Sequence, residues 1–73
     1  MINVYDFCDA CAEATKIELS FYDSESDEFI TRVVFNDAKI GCKTLSAVCK
    51  FATIESFYSS DDLICCRVIV RDL

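Results

Sequence analysis

Apolar positions along the chain alternate between a spacing of three to four residues and a spacing of two, and each switch marks an element. From Val4 they recur at Phe7, Cys8, Cys11 and Ala12, while Asp6, Asp9 and Glu13 take the positions between. That spacing predicts a helix over residues 4–14, with Asn3 as N-cap because its side-chain oxygen can accept from a first-turn N–H. Strict alternation begins at Lys16: Ile17, Leu19 and Phe21 fall on one face and Glu18, Ser20 and Tyr22 on the other, as in a half-buried strand. Asp23-Ser24-Glu25-Ser26-Asp27-Glu28 is polar and rich in turn formers, and residues 29–35 resume strand composition, so the two runs predict a hairpin. Phe29, Thr31, Val33 and Phe35 are expected to share one face of it.

Asn36 and Asp37 offer a stop and a cap, and the segment to Lys50 reads as helical except at Gly41, the only glycine. The expectation is a short turn holding Gly41 and Cys42, then a helix capped by Thr44 with an apolar stripe of Leu45, Val48, Cys49 and Ala52. Residues 53–58 and 63–71 return to strand composition around a turn at Ser59-Ser60-Asp61-Asp62. The predicted order is α-β-β-α-β-β: one small α+β domain over residues 1–73, an antiparallel sheet packed against two helices.

Composition limits what such a domain can do. The 73 residues are 53% hydrophobic, enough for one core, but a core of this size leaves stability marginal without a staple. Thirteen acidic against seven basic residues give a net charge of −6, a field that repels phosphate and attracts basic surfaces, which argues against direct nucleic-acid binding. No histidine is present, so the usual neutral-pH general base and any Ser-His-Asp set are excluded, and there is no glycine-rich phosphate loop. The expectation is a protein that is not an enzyme. No apolar run approaches the roughly 20 residues that span a bilayer, and Asp6, Asp9 and Glu13 do not suit a secretory signal, so a cytosolic location is expected.

In a reducing cytosol the six cysteines are read as metal ligands or buried small hydrophobes before disulfides. Cys8 and Cys11, on one helix face, form half of a candidate zinc site, which Cys42 and Cys49 can complete if Cys42 lies in a turn before its helix. Cys65 and Cys66 are adjacent in a strand and point to opposite faces, so at most one joins them, and Cys66 is expected in the core. Buried, non-ligand cysteines remain the plain alternative, and a redox pair at Cys8 and Cys11 lacks the strand-then-helix setting of that motif. Asp23, Glu25, Asp27 and Glu28 crowd one hairpin tip, and Asp61 with Asp62 marks the other. Such tips keep a small protein soluble, or they imitate the charge of a nucleic acid and dock on a partner with a basic surface. Arg67 and Arg71 are expected to pair across strands, with Glu18 or Glu55 as partners.

The opening M-I-N-V-Y-D-F-C, the run K-I-E-L-S-F-Y-D and the closing E-S-F-Y-S-S-D-D-L-I-C-C-R-V-I-V together span nearly the whole chain. They resemble short proteins encoded by phages and mobile elements of gut bacteria, among which are the anti-CRISPR inhibitors, including a metal-binding group that inhibits Cas9. The resemblance implies a stoichiometric inhibitor acting in the cytoplasm of the infected bacterial host, binding a Cas effector and blocking its loading with guide or target nucleic acid. It implies no catalytic residue and assigns no contact residue.

Overall fold

Each element forms where local chemistry and burial agree, as seen in a computed structural model that describes residues 1–71. The last two positions of the expected domain lie outside the described residues. Helix α1 (Val4–Asp9) starts at Asn3, whose side-chain oxygen accepts from the Asp6 N–H at 2.7 Å. It ends well before Ala14, the predicted limit: Ala10 is the C-cap and Ala14 has a positive φ of 58°. The shortening has a tertiary cause. The Ala38 N–H donates to the Thr15 carbonyl at 2.8 Å and the Ala14 N–H to Asp37 Oδ2 at 3.3 Å, which draws residues 12–15 off the helix axis toward the first strand.

Strands β1 (Lys16–Asp23), β2 (Phe29–Phe35), β3 (Thr53–Ser60) and β4 (Leu63–Val70) form one sheet in the order β2-β1-β4-β3. The α+β class stands, but the sheet is mixed, because β1 and β4 pair in parallel from Lys16↔Leu63 to Asp23↔Val70. The reason is the connection. Residues 36–52 run back along the sheet as two short helices, so the second hairpin enters in the same direction as β2, and its return strand then runs with β1. Strands β1 and β4 take the two central places because they carry the most buried side chains: Ile17, Leu19, Phe21, Cys66, Val68 and Val70. A register shift at Phe21/Tyr22 sets Phe29 opposite Tyr22 instead of keeping it on the face of Val33 and Phe35.

The expected single helix of the connection is two: α2 (Ala38–Cys42), capped by Asp37, and α3 (Ala47–Lys50), capped by Ser46 rather than Thr44. Gly41 is not the break. It lies inside α2, where an added Cβ would come within 2.2 Å of the Phe35 ring, so glycine is required by close helix–sheet approach. Thr44 instead donates its hydroxyl to the Gly41 carbonyl at 2.6 Å. All three helices lie on one face of the sheet, and Val4, Cys8, Ala38 and Cys42 complete a core with the inward strand residues. The radius of gyration is 11.2 Å, close to the roughly 11 Å expected for a compact chain of this length.

The two sheet edges differ. Residues 2–4 lie along the outer side of β3, with the Ile54 N–H donating to the Ile2 carbonyl and the Val4 N–H to the Ala52 carbonyl, each at 3.0 Å. Along β2, nothing among the described residues pairs with the outer backbone.

Candidate functional site

Cys8 on α1 and Cys42 on α2 are buried as neighbours at the helix–helix contact, and the Cys42 thiol donates to the Lys39 carbonyl at 3.5 Å. Cys11, in the turn just past α1, is half-buried and donates its S–H to the Phe7 carbonyl at 3.3 Å. From the sheet, Cys66 joins this group, on the inward face as its alternation requires, while Cys65 points to the opposite face. Cys49 is carried by α3, half-buried against the same core. Among the described residues no group of three or more Cys, Asp or Glu is arranged to hold one metal ion. Burial pushes the Cys8 thiol up to about 12, helped by the neighbouring Cys42, and burial likewise pushes Cys66 up to about 12. Cys11 is raised from the ordinary thiol value by the same desolvation. These thiols are therefore protonated at neutral pH, the opposite of an activated nucleophile.

The acidic hairpin tips are built locally. Asp23 Oδ1 accepts from the N–H groups of Glu25 at 2.8 Å and Ser26 at 3.3 Å, and Asp27 takes a positive φ of 56° that its short polar side chain tolerates. The second tip turns the same way at Asp61, with φ 54°. Parallel pairing of β1 with β4 puts the two tips at opposite ends of the sheet, because β1 ends at the first tip and β4 begins at the second. Asp23 is occupied in its turn and Asp27 in an ion pair with Arg67, which leaves Glu25 and Glu28 at one end and Asp61 and Asp62 at the other without ion pairs among the described residues.

Compared with protein-family models, curated proteins and solved structures, the chain matches none.

The helix-free face of the sheet holds a cleft of about 270 Å³ that sequence reasoning did not single out. Glu18 binds Arg32 Nε at 2.7 Å and accepts from the Cys65 thiol at 3.6 Å. Tyr58 lies beside the same thiol, whose proximity raises the phenol above its ordinary value. Arg67 stacks 3.9 Å from the Tyr22 ring centroid, binds Glu55 Oε1 at 2.8 Å and ion-pairs with Asp27. Each guanidinium here is already held by a carboxylate, so the cleft presents balanced charge rather than an open anion site. The Arg67–Glu55 pair is one of the two that strand spacing anticipates. The Glu18–Cys65 contact follows from parallel β1–β4 register, which an antiparallel expectation hides.

Proposed function

We propose that this domain acts by docking on a protein with a basic surface, as a non-enzymatic, stoichiometric inhibitor of a CRISPR effector of the Cas9 type in the cytoplasm of an infected bacterial host. The observation that carries the reading is the first hairpin tip, where a turn fixed by Asp23 and tied to the sheet through Asp27 and Arg67 presents Glu25 and Glu28 outward. Carboxylates held on a rigid turn can occupy a channel lined by Lys and Arg at little entropic cost, and thereby exclude guide or target nucleic acid. The test is target cleavage by a panel of purified type II effectors with the chain in increasing molar ratio. Inhibition that saturates near equimolar protein and is lost in Glu25→Lys/Glu28→Lys supports it. Cleavage unaffected by large molar excess across the panel removes it.

A second reading is an accessory interaction domain whose cysteines are core and nothing more; the burial of Cys8, Cys42 and Cys66 in one apolar cluster favours it. A structural zinc on Cys8, Cys11, Cys42 and Cys49 is decided by elemental analysis of protein purified without chelators. One zinc per chain, lost together with the fold on chelation, keeps it, and a metal-free folded protein assigns the thiols to packing.

A further inference from the structure

Four of the exposed apolar side chains gather at the β2 edge, the others lying at the N-terminus, α3 and β3. Phe29 (52%), Ile30 (40%) and Val34 (58%) lie along β2, and Ile40 (66%) stands on α2, which packs over the lower end of the same strand. Strand β2 is also the edge whose outer N–H and C=O groups are unpaired among the described residues, whereas residues 2–4 cover part of the other edge. An open edge of this kind is a template for another strand, and proteins usually blunt it with proline, charge or a covering segment. Here the chain has no proline, and the one charge within β2, Arg32, is turned onto Glu18 and lies over the Phe29 ring.

We infer that the β2 edge is a self-association surface, at which a second copy of this chain pairs β2 antiparallel to β2 about a two-fold axis near Val33 and extends the sheet to eight strands. Charge decides the occupant. The acidic tip lies at the start of β2 and α2 follows its end, so two-fold antiparallel pairing sets the tip of one copy beside α2 of the other. There Lys39 and Lys43 flank Ile40 and make no ion pair among the described residues; the neighbouring acids on that surface are Glu13 and Asp37, and Asp37 is taken up by the Ile40 and Ala14 N–H groups. Glu25 and Glu28 thus meet Lys39 and Lys43, and symmetry repeats the contact at the far end of the seam. The axis falls near Val33 because an axis at Arg32 would set two guanidiniums directly opposite, whereas Val33 places Arg32 across from Val34 of the other copy. A seam of one strand pair covers less than the roughly 800 Å² per partner of a standard interface, so the dimer is weak and concentration-dependent.

Sedimentation of the full chain from low micromolar to millimolar concentration tests this, at about 0.15 M salt, where the Debye length near 8 Å screens the mean repulsion of two acidic chains. The expected result is a shift from the 8.3 kDa monomer to twice that mass. Val34→Lys, at an exposed position that leaves the monomer fold intact by circular dichroism, abolishes the shift. Lys39→Glu/Lys43→Glu weakens it about tenfold, through the two symmetry-related clusters of exposed pairs. Adding Glu25→Lys/Glu28→Lys to that variant restores it. A monomer at every concentration overturns the inference and leaves the edge to a strand of another protein. A dimer indifferent to Val34→Lys overturns the seam, and one lost with Val34→Lys but indifferent to the charge exchange overturns the two-fold register. No effector is present in these measurements, so they stand or fall separately from the inhibitor reading.

Discussion

Gly41 shows how one side-chain hydrogen can set the distance between two layers. Alanine is the better helix former by about 1 kcal/mol, so propensity alone predicts that Gly41→Ala stabilises α2. The Phe35 ring stands 2.2 Å from where the methyl would go, and overpacking of that kind costs roughly 1–3 kcal/mol. Urea denaturation is expected to show net destabilisation, and Phe35→Leu, which removes the ring, should relieve it in a double-mutant cycle; additive losses would show that the two residues do not touch. The thiols act at the same scale through protons. Folded Cys8 and Cys66 hold their protons to about pH 12 against 9.0 for an ordinary thiol, so the folded state binds protons that the unfolded chain releases above that lower value. Stability is therefore intact below pH 9 and falls as pH climbs toward 12, by up to about 1.4 kcal/mol per pH unit for each thiol. Denaturation midpoints measured across that range should decline, and Cys66→Ala should flatten the slope while lowering the plateau through its cavity. A midpoint constant to pH 11 would mean that burial does not hold these protons.

Among the elements, the strands were legible and the helices were less so. Period-two alternation at Ile17, Leu19 and Phe21 and at Cys66, Val68 and Val70 correctly marks the buried face, because a one-residue slip would expose the whole set. Helix α1 was overrun because Ala10, Ala12 and Ala14 favour helix while hydrogen bonds from Ala14 and Ala38 to distant partners pull that stretch away, and such contacts leave no local mark. Parallel β1–β4 pairing was legible in one respect only: a connection of residues 36–52 is long enough for a crossover, which an antiparallel hairpin does not need. The thiol group shows both sides. A turn just past α1, closed by the Cys11 N–H on the Cys8 carbonyl, keeps Cys11 near Cys8 as the spacing suggested, and alternation turns Cys66 inward, but that Cys66 joins them depends on β4 lying at the centre of the sheet. Arg67 ties elements together, gripping Glu55 on β3 and Asp27 at the first tip while stacking on Tyr22 of β1. Arg67→Met keeps the bulk of the stem and loses the charge. We expect only a small stability loss, since these pairs are largely exposed, together with faster amide exchange over residues 23–28 and no change in the β1–β4 ladder. Unchanged exchange at the tip would show that the turn is held by Asp23 alone.

At the scale of the whole molecule, the net charge of −6 matters less than where the carboxylates sit. The two tips lie at opposite ends of eight-residue strands, about 26 Å apart at 3.3 Å per residue, some three Debye lengths at physiological salt. A basic partner therefore feels them as separate sites, and a small patch can engage only one. Glu25→Lys/Glu28→Lys and Asp61→Lys/Asp62→Lys each change the net charge by four, from −6 to −2, so a partner attracted only by mean charge would respond to both alike. Docking through the first tip predicts instead that the Glu25/Glu28 exchange slows association about tenfold or more and flattens its salt dependence, while the Asp61/Asp62 exchange changes the rate by no more than about twofold. Association rates measured by surface-immobilised partner at nanomolar chain, where self-pairing is negligible, separate the two. Equal slowing by both exchanges would mean that overall acidity drives the encounter, and the rigid turn held by Asp23 and Arg67 would then have no part in recognition.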